Sequence, residues 1–178
     1  MNFCPNCAAP VEFIIPEGDN RERFVCTRCK TIHYQNPKMV IGTVPVWEDK
    51  VLLCKRAIEP RLGFWTLPAG FMENGETTAE AAARETLEEA NARVDLMELY
   101  TVYSVSHVNQ VHLYYRAVLL DTAFAPGAES LEVRLFTESE IPWPALAFRT
   151  VAVTLKHFYS DRAAGSFRLH TGALTPVR

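Results

Sequence analysis

No stretch of the chain approaches the roughly 20 consecutive apolar residues that a membrane-spanning helix needs. The first residues, Met1-Asn2-Phe3-Cys4-Pro5, lack the basic segment and apolar run of a secretion signal. There is no excess of positive charge. The formal net charge is −3, so no global field draws nucleic acid or an anionic membrane. Internal repeats and low-complexity segments are also missing. These absences predict a cytoplasmic protein without a membrane partner, for which nucleic acid is an unlikely ligand. A polyanionic substrate would then need a local agent to neutralise it, and a bound metal ion is the simplest. What is present is ordinary globular composition, 48% hydrophobic and 22% charged over 178 residues. That is enough for one core plus a small appendage.

Four of the five cysteines lie in residues 1–36. Cys4-Pro5-Asn6-Cys7 and Cys26-Thr27-Arg28-Cys29 form two Cys-x2-Cys turns separated by 18 residues. This is the spacing of a structural zinc site, in which each turn supplies two thiolates to a tetrahedron. A disulfide framework or reactive thiols are the alternatives, and a reducing cytoplasm disfavours both. Four protein ligands leave no open position, so such a zinc would be structural. The segment has too few apolar residues to fold unaided. Its basic Arg21, Arg23, Arg28 and Lys30 are balanced by Glu12, Glu17, Asp19 and Glu22, which removes the footprint of a phosphate-tracking module. Cys54 stands apart in an apolar run and reads as a core residue.

Asn36-Pro37 is a turn signal and marks a boundary, giving units 1–36 and 37–178. Met39–Trp47 and Val51–Arg56 read as strands joined by a short turn, followed by a Gly/Pro-rich loop over Glu59–Gly75. Thr77–Ala90 reads as a helix with a capping box from Thr77 and Glu80. Val94–Val105, Val111–Leu120 and Leu131–Phe136 read as strands, and Ala145–Tyr159 as a helix with Val151, Leu155 and Phe158 on one side. The tail from Phe167 has no clear pattern. Interspersed strands and helices predict an α/β fold, a sheet covered by helices.

Glu85, Glu88 and Glu89 stand at i, i+3 and i+4 and share a helix face. Ala79, Ala83, Thr86, Leu87 and Ala90 fall on the opposite arc, so the expected helix buries that arc and turns three carboxylates outward. A solvated acidic face is the plain alternative. The Gly/Pro-rich loop before the helix, which would bring backbone carbonyls to the carboxylates, and Arg84, which can pin one of them, favour a metal site. Oxygen ligands suit magnesium or manganese rather than zinc.

Gly70, Glu76 and Arg84-Glu85-x-x-Glu88-Glu89, at this spacing, resemble the Nudix box of the Nudix hydrolases. The sequence departs from that box at Thr86, Asn91 and Ala92, where the family prefers aliphatic, glycine and aliphatic residues. Asn is the next-best residue for the left-handed helix end that glycine would make. The resemblance implies a Nudix-type α/β/α sandwich with a mixed sheet behind a small zinc ribbon. It implies that Glu85 and Glu89 bind divalent metal, and that Glu88 binds metal or orients water. The Ala69 carbonyl becomes a further metal ligand, Arg84 a brace, and Glu76 an anchor for the loop. Glu129, just before a late strand, matches a glutamate that many members use outside the box. Its rival Glu132 lies closer to the strand. Glu88 and Glu129 are the candidates for the general base.

The zinc ribbon ahead of the box is shared with NADH pyrophosphatases, but Tyr103–Gln110 lacks their Ser-Gln-Pro-Trp-Pro-Phe-Pro-x-Ser element. His33–Lys38, Leu52–Arg56, Trp65–Gly70, Pro126–Glu132 and Ile141-Pro142 are more similar to the zinc-ribbon FAD and ADP-ribose pyrophosphatases. That branch implies a small nucleotide-diphosphate substrate split to AMP and a second phosphate ester, and a homodimer. The alternatives are an NADH pyrophosphatase or RNA-decapping enzyme, a nucleoside-triphosphate sanitising enzyme, or a non-catalytic zinc-ribbon protein that senses nucleotides. Lys55 and Arg56 end a strand near the loop and are candidates to meet phosphate. Phe71 is a candidate to stack on a base, whereas Trp65 reads as core. His107 and His112 carry no mark of ligands.

Overall fold

The computed structural model describes residues 1–176, and the last two residues of the expected second domain lie outside them. The chain divides into two compact units, Met1–Pro37 and Lys38–Arg178.

In the first unit, β1 (Val11–Ile14), β2 (Arg23–Cys26) and β3 (Ile32–His33) form an antiparallel sheet in that order. Its buried centre is Cys4, Ala9 and Cys26, with Cys7 and Val11 against them. Both Cys-x2-Cys turns close alike. Ala8 and Lys30, which follow the second cysteine of each pair, take φ values of 58° and 60°. Their N–H groups donate back to the carbonyls of Cys4 and Cys26.

The second unit runs β4 (Lys38–Trp47), β5 (Lys50–Arg56), β6 (Trp65–Thr66), β7 (Ala69–Phe71), α1 (Thr78–Ala90), β8 (Val94–Val105), β9 (Gln110–Leu119), β10 (Ser130–Phe136), α2 (Arg149–Ala164) and β11 (His170–Ala173). The main sheet has the order β10-β5-β4-β9-β8-β11, with β6 paired to β5 and β7 to β4. β4 runs parallel to β9 and β11 parallel to β8, while the other pairs are antiparallel. Strand alternation sorts the side chains to two faces. Ile41, Leu52, Cys54 and Leu113 pack with Ala81, Ala82 and Ala90 of α1. Val44, Val51, Leu53 and Tyr114 pack with Val151, Leu155 and Phe158 of α2. Each of these larger apolar side chains contributes about 1.5–3 kcal/mol by leaving water, and together they make the α/β/α sandwich. Among the described residues no helix is long and apolar enough to cross a membrane.

Three local expectations change. The Glu59–Gly75 loop contains β6 and β7, which fill a split in the sheet. β4 and β5 pair only at Val46–Val51 and Trp47–Lys50, and beyond that point they part. α2 begins at Arg149 rather than Ala145. Trp143–Ala145 is a separate 3-10 turn with Pro142 at its N-cap. The tail forms β11 through a long-range parallel pairing with β8.

The α1 ends are as expected. Thr77 and Glu80 form the capping box, and Asn91 ends the helix at φ 48°. The Asn91 amide also donates to the carbonyls of Ala125 and Pro126. The expected burial of the helix holds at Thr86 and Ala90 and is overturned at Leu87, Glu85 and Glu89. Its buried residues are Ala81, Ala82, Glu85, Thr86, Glu89 and Ala90, while Leu87 is 49% exposed. Two of the three carboxylates therefore lie on the sheet side. The physical reason is the split, because that side of α1 opens on a cleft there rather than on sealed core.

Thr86, where an aliphatic residue was expected, is fully buried and has a partner. Its hydroxyl donates to the Ala82 carbonyl at 2.7 Å and accepts from the equally buried Thr43 hydroxyl at 2.6 Å. Thr86→Val strands the Thr43 hydroxyl and is expected to cost about 1–3 kcal/mol, whereas Thr43→Val/Thr86→Val together is expected to be closer to neutral. Thermal melting of the two single variants and the double variant checks this. Additive losses would show that the pair is not coupled.

Candidate active site

The four cysteine Sγ atoms lie within 4.8 Å of one another. Cys4 and Cys29 are 3.7 Å apart, Cys7 and Cys26 3.4 Å, and none is in a disulfide. Zinc–sulfur bonds of about 2.3 Å place tetrahedral ligands about 3.8 Å apart, so the four thiols fit a structural zinc. Hydrogen bonds from the Thr31 side chain and backbone hold the Cys29 thiol down to about 6, which makes it a thiolate at neutral pH.

The second unit contains a cleft of about 1160 Å³. Glu85, Glu88, Glu89 and Glu129 all line it, as do Ala69, Gly70, Phe71, Arg56 and Arg84. Glu89 is 7% and Glu85 8% exposed. Burial pushes Glu89 up to about 8, and Glu85 and Glu129 add repulsion. Burial raises Glu85 as well, against the pull of Arg84. Glu89 accepts the Ala69 N–H at 3.3 Å, so the loop backbone holds it as well as α1. Gly70 makes room for its neighbour. A Cβ there would meet Glu85 Oε2 at 2.3 Å.

Arg84 ties the acidic groups together. It donates to Glu85 at 2.7 Å, to Glu88 at 3.0 Å and to Glu76 at 2.7 Å, and also to the Phe71 carbonyl. The Arg84 contact and the Glu73 N–H hold the Glu76 carboxyl down to about 2. Glu76 thus fastens the loop to the helix. Glu88 and Glu129 are exposed on the cleft. Glu132 turns away from it to Lys55 at 3.8 Å. Only the cysteines, among the described residues, draw three or more ligand atoms to one point. The carboxylates instead share Arg84 between Glu85 and Glu88.

Adjacent strand residues part company. Lys55 faces Trp65 and Glu132, whereas Arg56 lines the cleft, with its guanidinium 5.1 Å from the Phe148 ring and Nε donating to the Pro60 carbonyl. Trp65 is core, edge-on to Phe136, and Phe71 is 47% exposed on the cleft. His107 lines the cleft too, and so do four residues not singled out beforehand: Gln110, Tyr114, Phe148 and Thr150. The period-two alternation of β9 puts Gln110, His112 and Tyr114 on one face, a signal already present in the sequence.

The description "Nudix N-terminal" matches residues 2–35 and "NUDIX domain" residues 37–158. A NUDIX hydrolase from Nitrosomonas europaea is 57% identical with a TM-score of 0.96, over 99% of this chain and 100% of that one. The NAD-capped RNA hydrolase NudC of Vibrio vulnificus is 26% identical over 158 residues, 87% of this chain and 58% of that protein. The ADP-ribose pyrophosphatase of Methanocaldococcus jannaschii is 38% identical over 71 residues, 40% of this chain and 42% of that protein. The chain thus spans less than two thirds of either of these curated relatives. With Gly70, Arg84, Glu85, Glu88 and Glu89 gathered on one cleft and the family description covering most of the chain, this protein belongs to the NUDIX hydrolase family.

Proposed function

We propose that the protein is a divalent-metal-dependent hydrolase that splits the diphosphate of a nucleotide derivative, ADP-ribose or FAD, into AMP and a second phosphate ester. The observation that carries this is a pair of carboxylates, Glu85 and Glu89, buried yet open to a cleft of about 1160 Å³. Buried carboxylates ionise only beside cations, and Arg84 with the Ala69 N–H answers only part of that need. An all-oxygen donor set with Gly70 leaving space beside it fits magnesium or manganese. Glu85 and Glu89 would hold the metal, with Glu88, Glu129 and the Ala69 carbonyl as further donors. Bound there, divalent cations neutralise diphosphate oxygens and acidify water.

The chain's own groups do the rest. Arg84 keeps Glu85 and Glu88 in place through a guanidinium already bonded to Glu76. Arg56, braced on Phe148, offers its remaining N–H groups to phosphate. Glu88 and Glu129 can each take the proton of the attacking water, which breaks one P–O bond of the anhydride and leaves two phosphate monoesters. The NudC name among the relatives favours a second reading, an NAD-type diphosphate as substrate.

A substrate panel with magnesium or manganese decides between them. ADP-ribose should yield AMP and ribose 5-phosphate, FAD should yield AMP and FMN, and the second reading requires NMNH and AMP from NADH. Binding of these ligands without any cleavage would overturn the catalytic reading in favour of a nucleotide sensor.

A further inference from the structure

Across the cleft face of the sheet, directly paired residues form two rows. Phe71 of β7 pairs with Val40 of β4, Val40 with His112 of β9, and His112 with Tyr103 of β8. One step along, Lys38 pairs with Gln110 and Gln110 with Val105. Paired residues project from the same side of a sheet. Phe71, Val40, Gln110 and His112 all line the cleft. Strands lie about 4.8 Å apart, so the backbones of Phe71 and His112 are separated by about 10 Å. The shorter Val40 forms the floor between them. The result is a slot with Phe71 on one side and the His112–Gln110 pair on the other, and the flexible Lys38 ammonium lies 4.8 Å over the Phe71 ring at its edge.

The amide is oriented. His112 Nε2 and Gln110 Oε1 are 2.8 Å apart, and His112 Nδ1 and Thr150 Oγ1 are 3.0 Å apart. A carbonyl oxygen can only accept, so Nε2 carries the proton and Nδ1 accepts from Thr150. Burial pushes His112 down to about 4, which keeps this neutral form at physiological pH. Gln110 Oε1 retains one free lone pair. Its Nε2 has no protein partner among the described residues. Gln110 therefore presents an acceptor beside a donor in one plane. The N6/N7 edge of adenine, a donor beside an acceptor, complements it, whereas guanine offers acceptors at both O6 and N7.

We propose that this slot is the nucleobase subsite, and that Gln110 selects adenine over guanine with His112 as its positioning residue. The inference rests on the nucleotide-diphosphate reading above and names which base the substrate carries. A polar cluster that merely closes the end of β9 would have no base preference, and that difference is measurable.

The test compares AMP with GMP by calorimetry, and kcat/KM for ADP-ribose with that for GDP-ribose, in the wild type, Gln110→Leu and His112→Phe. The wild type is expected to favour the adenine ligand by about 5- to 150-fold, the range of one two-point amide–base pair. In Gln110→Leu the preference falls towards one, through KM rather than kcat. His112→Phe lowers it partway, and melting curves verify that both variants fold. Gln110→Glu keeps the shape, loses the donor and weakens AMP binding as well. Equal affinity for AMP and GMP in the wild type, or an unmoved ratio in folded Gln110→Leu, overturns the proposal. Preference for AMP without any diphosphate cleavage leaves the subsite standing and sinks the catalytic reading. Cleavage without base preference does the reverse.

Discussion

Glu89→Gln is expected to lose at least about a hundredfold in kcat while melting no lower than the wild type. Losing even an outer-shell partner of a metal ligand costs 10- to 100-fold, so a direct donor should cost at least as much. The stability half of the prediction comes from burial. Glu89 is 7% exposed, and Glu85 and Glu129 repel its charge. Glutamine has the same shape, and its amide oxygen still accepts the Ala69 N–H. With burial pushing Glu89 up to about 8, its carboxyl is mostly protonated at neutral pH without metal, so the neutral amide replaces it at little cost in stability. The double readout matters, because a variant that lost activity by unfolding would also lose melting temperature. Turnover close to wild type in a folded Glu89→Gln protein would remove Glu89 from the catalytic centre. Titrating manganese into the variant adds a second check, since weaker metal binding is expected even without substrate.

Which features could be read from the chain alone follows from the range of the interactions that produce them. The Cys-x2-Cys turns, the Thr77/Glu80 cap and the Asn91 helix end are set by neighbours a few residues apart, and their spacing announces them. β4, β5, β8, β9 and β10 were legible because β-branched alternation is local. The relation of Glu85 to Glu89 is also local, since i and i+4 share a face. Which way that face turns is not local. It depends on β4 and β5 parting after Val46–Val51, and on β6 and β7 filling the gap, so the sequence pattern turned all three carboxylates away from the buried arc. Arg56 and Lys55 are neighbours in one strand, and only the finished sheet assigns one to the cleft and the other to Glu132. The pairing of β11 with β8 joins residues about 70 positions apart, such as His170 and Thr101, and no motif announces it. Gln110 and His112 were legible in principle through strand parity, but parity gains meaning only once the cleft has a side.

Removing the zinc is expected to unfold the first unit and leave the second unit's cleft working. The unit's buried centre consists of Cys4, Ala9 and Cys26, with Cys7 and Val11 beside them. Three of those five residues are the ligands themselves. Without metal, little apolar area remains to offset the ordering of its backbone, at about 1–2 kcal/mol per residue. Structural zinc in comparable small sites contributes about 10–16 kcal/mol at neutral pH, which is enough to decide whether the unit folds. Cys26 is fully buried, and its sulfur accepts the Cys29 N–H at 3.3 Å. Cys26→Ser is therefore expected to drop bound zinc from about one per chain to near zero. Limited proteolysis should then digest the ribbon and spare a fragment beginning near Lys38. Diphosphate turnover should persist, because every residue that lines the cleft comes from Val40 onward and a four-cysteine site has no open position for substrate. A zinc-free variant with an intact, protease-resistant ribbon would mean that the packing around Ala9 and Val11 suffices without metal. Loss of turnover in step with loss of zinc would show instead that the cleft depends on the ribbon.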